Sequence, residues 1–121
     1  MREIKFRAWN ITKKVMWNNF EVGITNNELH IIEMNECILL QFTGLLDKNG
    51  KEIYEGDIIK RFSEAYGITD DIALVEWKDY TASFIFKCVN GNEEYINTKS
   101  TIDTDIEVIG DKFRNPELMD K

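Results

Sequence analysis

At 121 residues, with 43% hydrophobic and 12% aromatic content, the chain can bury a core and is too apolar to stay disordered. Its formal charge of -7 argues against a broad grip on duplex nucleic acid, because phosphate neutralisation needs clustered Lys and Arg. Cys37 and Cys88 show no CxxC spacing and each lies in an apolar run, so free thiols are expected rather than a disulfide or a metal site.

The opening MREIKF lacks the apolar stretch of a signal peptide, and no segment approaches membrane-span length, so a cytoplasmic protein is expected. Ile4, Phe6 and Ala8 alternate with Lys5, Arg7 and Trp9 in the two-residue period of a half-buried strand. Polar residues Asn10 to Lys14 supply a turn, and Val15-Met16-Trp17 reads as the returning strand. Asn26-Asn27 marks another turn. Leu29 to Ile32 and Ile38 to Phe42 are further apolar runs, giving an antiparallel meander.

Asp47-Lys48-Asn49-Gly50 is a turn with a mechanism: Asp closes it by its side chain, Asn tolerates a left-handed backbone, and Gly supplies positive φ. Glu55-Gly56-Asp57 is a second reversal, with Asp57 expected to accept local backbone amides before a strand over Ile58 to Phe62. A polar loop from Ser63 to Asp71 leads to strands over Ala73 to Trp77 and Ser83 to Val89. Asn90-Gly91 signals a hairpin to Tyr95 and Ile96, and an irregular link from Asn97 to Asp105 precedes Ile106 to Ile109. Asn115-Pro116-Glu117 reads as a helix start with Asn as cap. The pattern predicts an all-β, mainly antiparallel fold. A meander over residues 1–44 precedes a small SH3-like barrel over 45–121, with a short helical turn at its end. The two parts can equally form one continuous domain.

Five segments occur in a telling order: FRAW (Phe6 to Trp9), QFTGLLDKNGKEIYEGD (Gln41 to Asp57), VEW (Val75 to Trp77), EVIG (Glu107 to Gly110) and NPEL (Asn115 to Leu118). Together they closely resemble the YopX family of bacteriophage and prophage proteins, over nearly the whole chain. Family members often carry Asp where this chain has Asn10 and Lys where it has Leu46. The resemblance implies a β-rich, phage-encoded protein in a bacterial cytoplasm. It supplies no catalytic residue, because none is established for the family.

Candidate chemistry is thin. A calcium loop at Asp47-Lys48-Asn49 fails because Lys51, Glu52 and Ile58 stand where a ligand, the loop Gly and the bidentate Glu belong. Glu52, Glu55 and Asp57 suggest a magnesium site on paper, but a turn accounts for Asp57 without one. His30 is the one histidine, so a multi-histidine site is ruled out, and no phosphate-binding glycine loop exists. Neither a cofactor nor enzymatic activity is expected.

Charge is uneven along the chain. Residues 1–20 carry Arg2, Lys5, Arg7, Lys13 and Lys14 against Glu3, whereas eight acids from Glu93 onward face four bases. Solvated strand faces explain this simply. A sharper reading puts Lys5, Arg7, Trp9, Lys13, Lys14 and Trp17 on a surface for a partner or a single strand, rings stacking on bases and cations on phosphates. The same rings (with Tyr54, Tyr66, Trp77 and Tyr80) serve equally as core anchors. Asp47, Asn49, Gly50, Gly56 and Asp57 are expected to be structural turn residues.

The favoured function is a non-enzymatic protein-interaction module that self-associates and engages a host or phage protein, through exposed edges and the loops 63–71 and 97–105. Single-stranded nucleic-acid binding by the basic hairpin is the alternative. A third reading, in which the acidic body imitates nucleic acid, has weak support from acids spread along the whole chain. No membrane partner is expected.

Overall fold

A computed structural model describes residues 4–20, 37–63, 68–89, 91, 93–95 and 105–120. The segments around Leu29 to Ile32, with His30, most of the 97–105 link, and Tyr66 lie outside the described residues. Nine strands are described: β1 (Phe6–Asn10), β2 (Val15–Phe20), β3 (Cys37–Leu46), β4 (Glu52–Tyr54), β5 (Asp57–Ser63), β6 (Ile68–Lys78), β7 (Ser83–Cys88), β8 (Glu93–Tyr95) and β9 (Asp105–Asp111). A 3-10 helix, Pro116–Met119, is the last element described. The fold is all-β and antiparallel, as the alternating pattern predicts.

Two sheets result, ordered β2-β1-β3-β4 and β8-β7-β6-β5-β9. The fold includes one curled half-barrel. The second sheet supplies most of the core: Ile59, Ala73, Val75, Phe86, Cys88 and Ile106, joined by Ile53 of β4 and, at the margin, Leu45 of β3. Burial of these side chains is the main stabilising contribution, at about 1.5–3 kcal/mol for each large aliphatic or aromatic group. The first sheet therefore sends two residues into the core of the second. Its fourth strand, Glu52–Tyr54, also lies beyond the division drawn from sequence at residues 44 and 45.

Strand β3 serves both ends of the first sheet. Cys37 to Gln41 pair with β1, and Phe42 and Leu46 pair with β4. Between the last two the register shifts, and Gly44 there takes φ +90°, the left-handed geometry of a bulge. Thr43 Oγ1 donates to the Ile53 carbonyl (2.7 Å) and accepts the Leu45 N–H (3.2 Å), which secures the bend.

Two local expectations need correction. The polar segment expected as a loop up to Asp71 is strand from Ile68 onward, because Arg61 and Lys60 of β5 pair with Asp71 and Ile72. Cross-strand charge, Arg61 with Asp71, replaces the apolar alternation that would have revealed it. Asn115 does not cap the helix with its side chain; its Oδ1 accepts the Asp111 N–H at 3.3 Å.

Candidate functional site

The turn residues singled out in the sequence converge where the two sheets meet. Asp47 is buried, its Oδ1 accepting the N–H groups of Asn49 (2.8 Å) and Lys51 (2.9 Å) and its Oδ2 that of Val108 on β9 (3.0 Å). Gly50 follows at φ +81°. Lys48 N–H adds a bond to the Ile106 carbonyl (2.8 Å), so this turn covers the outer edge of β9. Gly56 (φ +89°) donates to the Val75 carbonyl (2.7 Å) and accepts from Lys112 N–H (2.9 Å). A Cβ on Gly56 would touch Phe113 at 3.4 Å.

Asp57 is the centre of the joint. Its Oδ2 accepts the Tyr54 N–H (2.8 Å), and its Oδ1 pairs with the Arg7 guanidinium from β1. Both side chains are buried, at 1% and 6% exposure. Arg7 also lies over the Tyr54 ring, 4.7 Å from its centroid. Burial pushes the Asp57 carboxyl above its ordinary value, against the downward pull of Arg7 and the Tyr54 amide. Burial and the Glu52 carboxylate, which accepts the Tyr54 hydroxyl at 3.2 Å, push the phenol up as well. Lys5 pairs with Glu52 at the rim.

Of the six candidate contact residues, Arg7 and Trp9 are thus interior. Trp9 stacks on Phe113 with centroids 5.4 Å apart. Sequence alternation could not expose this, because strand faces are assigned by partners that lie 50 and more residues away. Lys13 and Lys14 remain exposed at the β1–β2 turn, with Lys13 Nζ 5.7 Å from the centre of the half-buried Trp17 ring.

A second polar cluster escaped sequence reading. Arg61 of β5, buried, pairs with Asp71 and Glu94 and reaches Cys88 Sγ at 3.4 Å, with the Phe86 ring 5.2 Å from its guanidinium. Asp71, Cys88 and Glu94 bring one ligand atom each within 4.8 Å of the others, a spacing suited to a metal ion. The Arg61 guanidinium bonds all three groups and supplies the positive charge there. Both cysteines are free, and burial raises the Cys88 thiol to about 11.

The sequence profile of the YopX family, described as YopX protein, matches residues 5–120. The chain belongs to that family. Its YopX fold is similar to the crystal structure of protein EF1440 from Enterococcus faecalis, at TM-score 0.67 and 24% identity over 99% of this chain and 100% of that one. It is also similar to the X-ray structure of protein yopX from Bacillus subtilis, at TM-score 0.58 and 19% identity over 98% of both chains. No curated protein matches. Three of the segments that mark the YopX resemblance supply residues of the joint: Arg7 and Trp9 from FRAW, Asp47, Gly56 and Asp57 from the central block, Val108 from EVIG.

Proposed function

We propose that the protein is a non-enzymatic interaction module of phage or prophage origin that self-associates and contacts a host or phage protein in the bacterial cytoplasm. One observation carries this reading: the buried ionisable groups at the joint are engaged by one another or by backbone, while large rings lie exposed elsewhere. Arg7, Asp47, Asp57 and Asp111 each meet a partner in the fold. Trp77 and Tyr80 are exposed at the β6–β7 turn, with Ile11 and Val15 exposed at the β1–β2 turn. Polar chemistry thus serves architecture and apolar surface is left for contact. Among the described residues, no helix is long and apolar enough to cross a membrane.

Purification of the tagged protein from a bacterial lysate, with and without nuclease, tests the reading. A stoichiometric protein partner that survives nuclease supports it. A persistent monomer that captures nothing contradicts it. Single-stranded nucleic-acid binding is a second reading, favoured by the Lys13–Trp17 contact beside exposed Lys14. It predicts salt-sensitive binding that disappears in Lys13→Glu/Lys14→Glu; binding unchanged by those substitutions would rule it out.

A further inference from the structure

The β6–β7 hairpin ends in an unusual group. Tyr80 is 94% exposed at its tip and Trp77 39% exposed below it, braced edge-on against Phe84 with centroids 5.0 Å apart. The turn is braced by local hydrogen bonds. Ala82 takes φ +48°, its N–H donates to the Asp79 carbonyl (3.2 Å), and the Thr81 and Ser83 hydroxyls are hydrogen-bonded (2.8 Å). A non-glycine residue in the left-handed region carries strain that the surrounding bonds must hold. The neighbouring Lys78 is paired with Glu93 (2.6 Å), whereas the Asp79 carboxylate has no ion-pair partner among the described residues, so the tip presents a ring and an anion.

The β1–β2 tip has the opposite character. Lys13 and Lys14 project from a turn fixed by Asn10, whose Oδ1 accepts the Lys13 N–H (2.7 Å) and whose carbonyl accepts the Lys14 N–H (2.8 Å). Val15 is 43% exposed beside them, and no acid occurs from Ile4 to Phe20. Lysines of this molecule already rest against rings: Lys13 against Trp17, Lys112 against Phe113 at 5.2 Å.

We propose that these two tips are the halves of one self-association contact: the Tyr80–Asp79 tip of one copy docks on the Lys14–Val15 tip of a second copy. The tyrosine ring covers Val15 and takes the Lys14 ammonium on its face, while Asp79 pairs with the same cation. Both halves sit on hydrogen-bonded turns, so the ordering that opposes docking falls on the Tyr80 and Lys14 side chains rather than on the backbone. The patches differ, so the contact propagates into rings or chains unless two copies satisfy both at once. This contact rests on the self-association reading.

Sedimentation velocity on the full chain at low salt tests it, with thermal melts to confirm folding. Tyr80→Ala is expected to weaken association by about tenfold or more, and Lys14→Glu and Asp79→Lys to weaken it each. The double variant Lys14→Glu/Asp79→Lys restores association, because the exchanged charges meet again across the contact. Association in the wild type that none of the single substitutions alters would overturn this contact while leaving self-association standing. Single variants that weaken while the double variant stays weak would also overturn it. A wild type that is monomeric at every concentration removes both the contact and the reading beneath it.

Discussion

Asp47 and Val108, 61 residues apart, are joined by one carboxylate oxygen that accepts the Val108 N–H, while the other oxygen closes the turn from Asp47 to Lys51. A single side chain thus shapes a hairpin of the first sheet and fastens it to the edge strand of the second. Asp47→Ala is expected to destabilise the fold by about 2–3 kcal/mol, since three backbone donors lose a charged acceptor. Urea unfolding measures the loss; a change within about 0.5 kcal/mol would show that the turn holds itself.

Acid should act through the same residue. Burial works to raise the Asp47 carboxyl, but the amides of Val108, Lys51 and Asn49 outweigh it and hold it below its ordinary value. A depressed native pKa contributes stability above the unfolded value and loses it as pH falls through the native value. Stability is therefore expected to decline below about pH 4, and Asp47→Asn to lack that part of the decline. Melting temperatures between pH 2 and 6 in both proteins check the sign.

Arg7 and Asp57 form the buried pair between the sheets, and removing one partner strands the other. Arg7→Met is expected to cost about 3–5 kcal/mol at pH 7. Without its cation the Asp57 carboxyl rises further, so the variant's stability is present at low pH and lost as pH rises through that pKa. Its deficit relative to wild type should therefore shrink toward pH 4. Arg7→Met/Asp57→Asn should recover part of the loss at pH 7. A deficit independent of pH would show that packing, not charge, is what Arg7 supplies.

Much of the architecture was legible because it is local. The alternation at Ile4 to Trp9, the Asp47 to Gly50 turn and the strand over Ser83 to Val89 each follow from a short window, and β1 and β7 stand there. Strand β4 has only three residues, too short for any period to register. The polar start of β6 was hidden because its stabilising partner is Arg61, not a neighbouring apolar residue. For the same reason Arg7 reads as a surface cation beside Lys5 and Lys13, when its partner Asp57 lies 50 residues away. The one local hint was its position between Phe6 and Trp9. Asn115 likewise reads as a helix cap, yet the loop before it turns its amide back to Asp111.

Gly110 shows how closely that loop is fitted. A Cβ there would lie 2.6 Å from Asn115 Oδ1, well inside contact distance. Gly110→Ala is expected to displace the Asn115 side chain, break its bond to Asp111 and cost about 1–3 kcal/mol. Pairing it with Asn115→Gly, which removes the Cβ at 3.0 Å together with the amide, should relieve most of the clash. Equal losses in the single and double variants would contradict this.

The thiols should differ in reactivity. Cys88 is desolvated and raised to about 11, whereas Cys37 is half-exposed. Alkylation at pH 8, followed by mass spectrometry of peptides, is expected to label Cys37 well before Cys88 in the folded protein. Equal rates would mean that β7 opens faster than the reagent acts.

Molar mass by light scattering, across protein concentration and at two salt concentrations, is the most direct test of an interaction module that pairs with itself. A mass above the 14.2 kDa chain, rising with concentration and reduced by added salt, is predicted. A constant 14.2 kDa under every condition would contradict it.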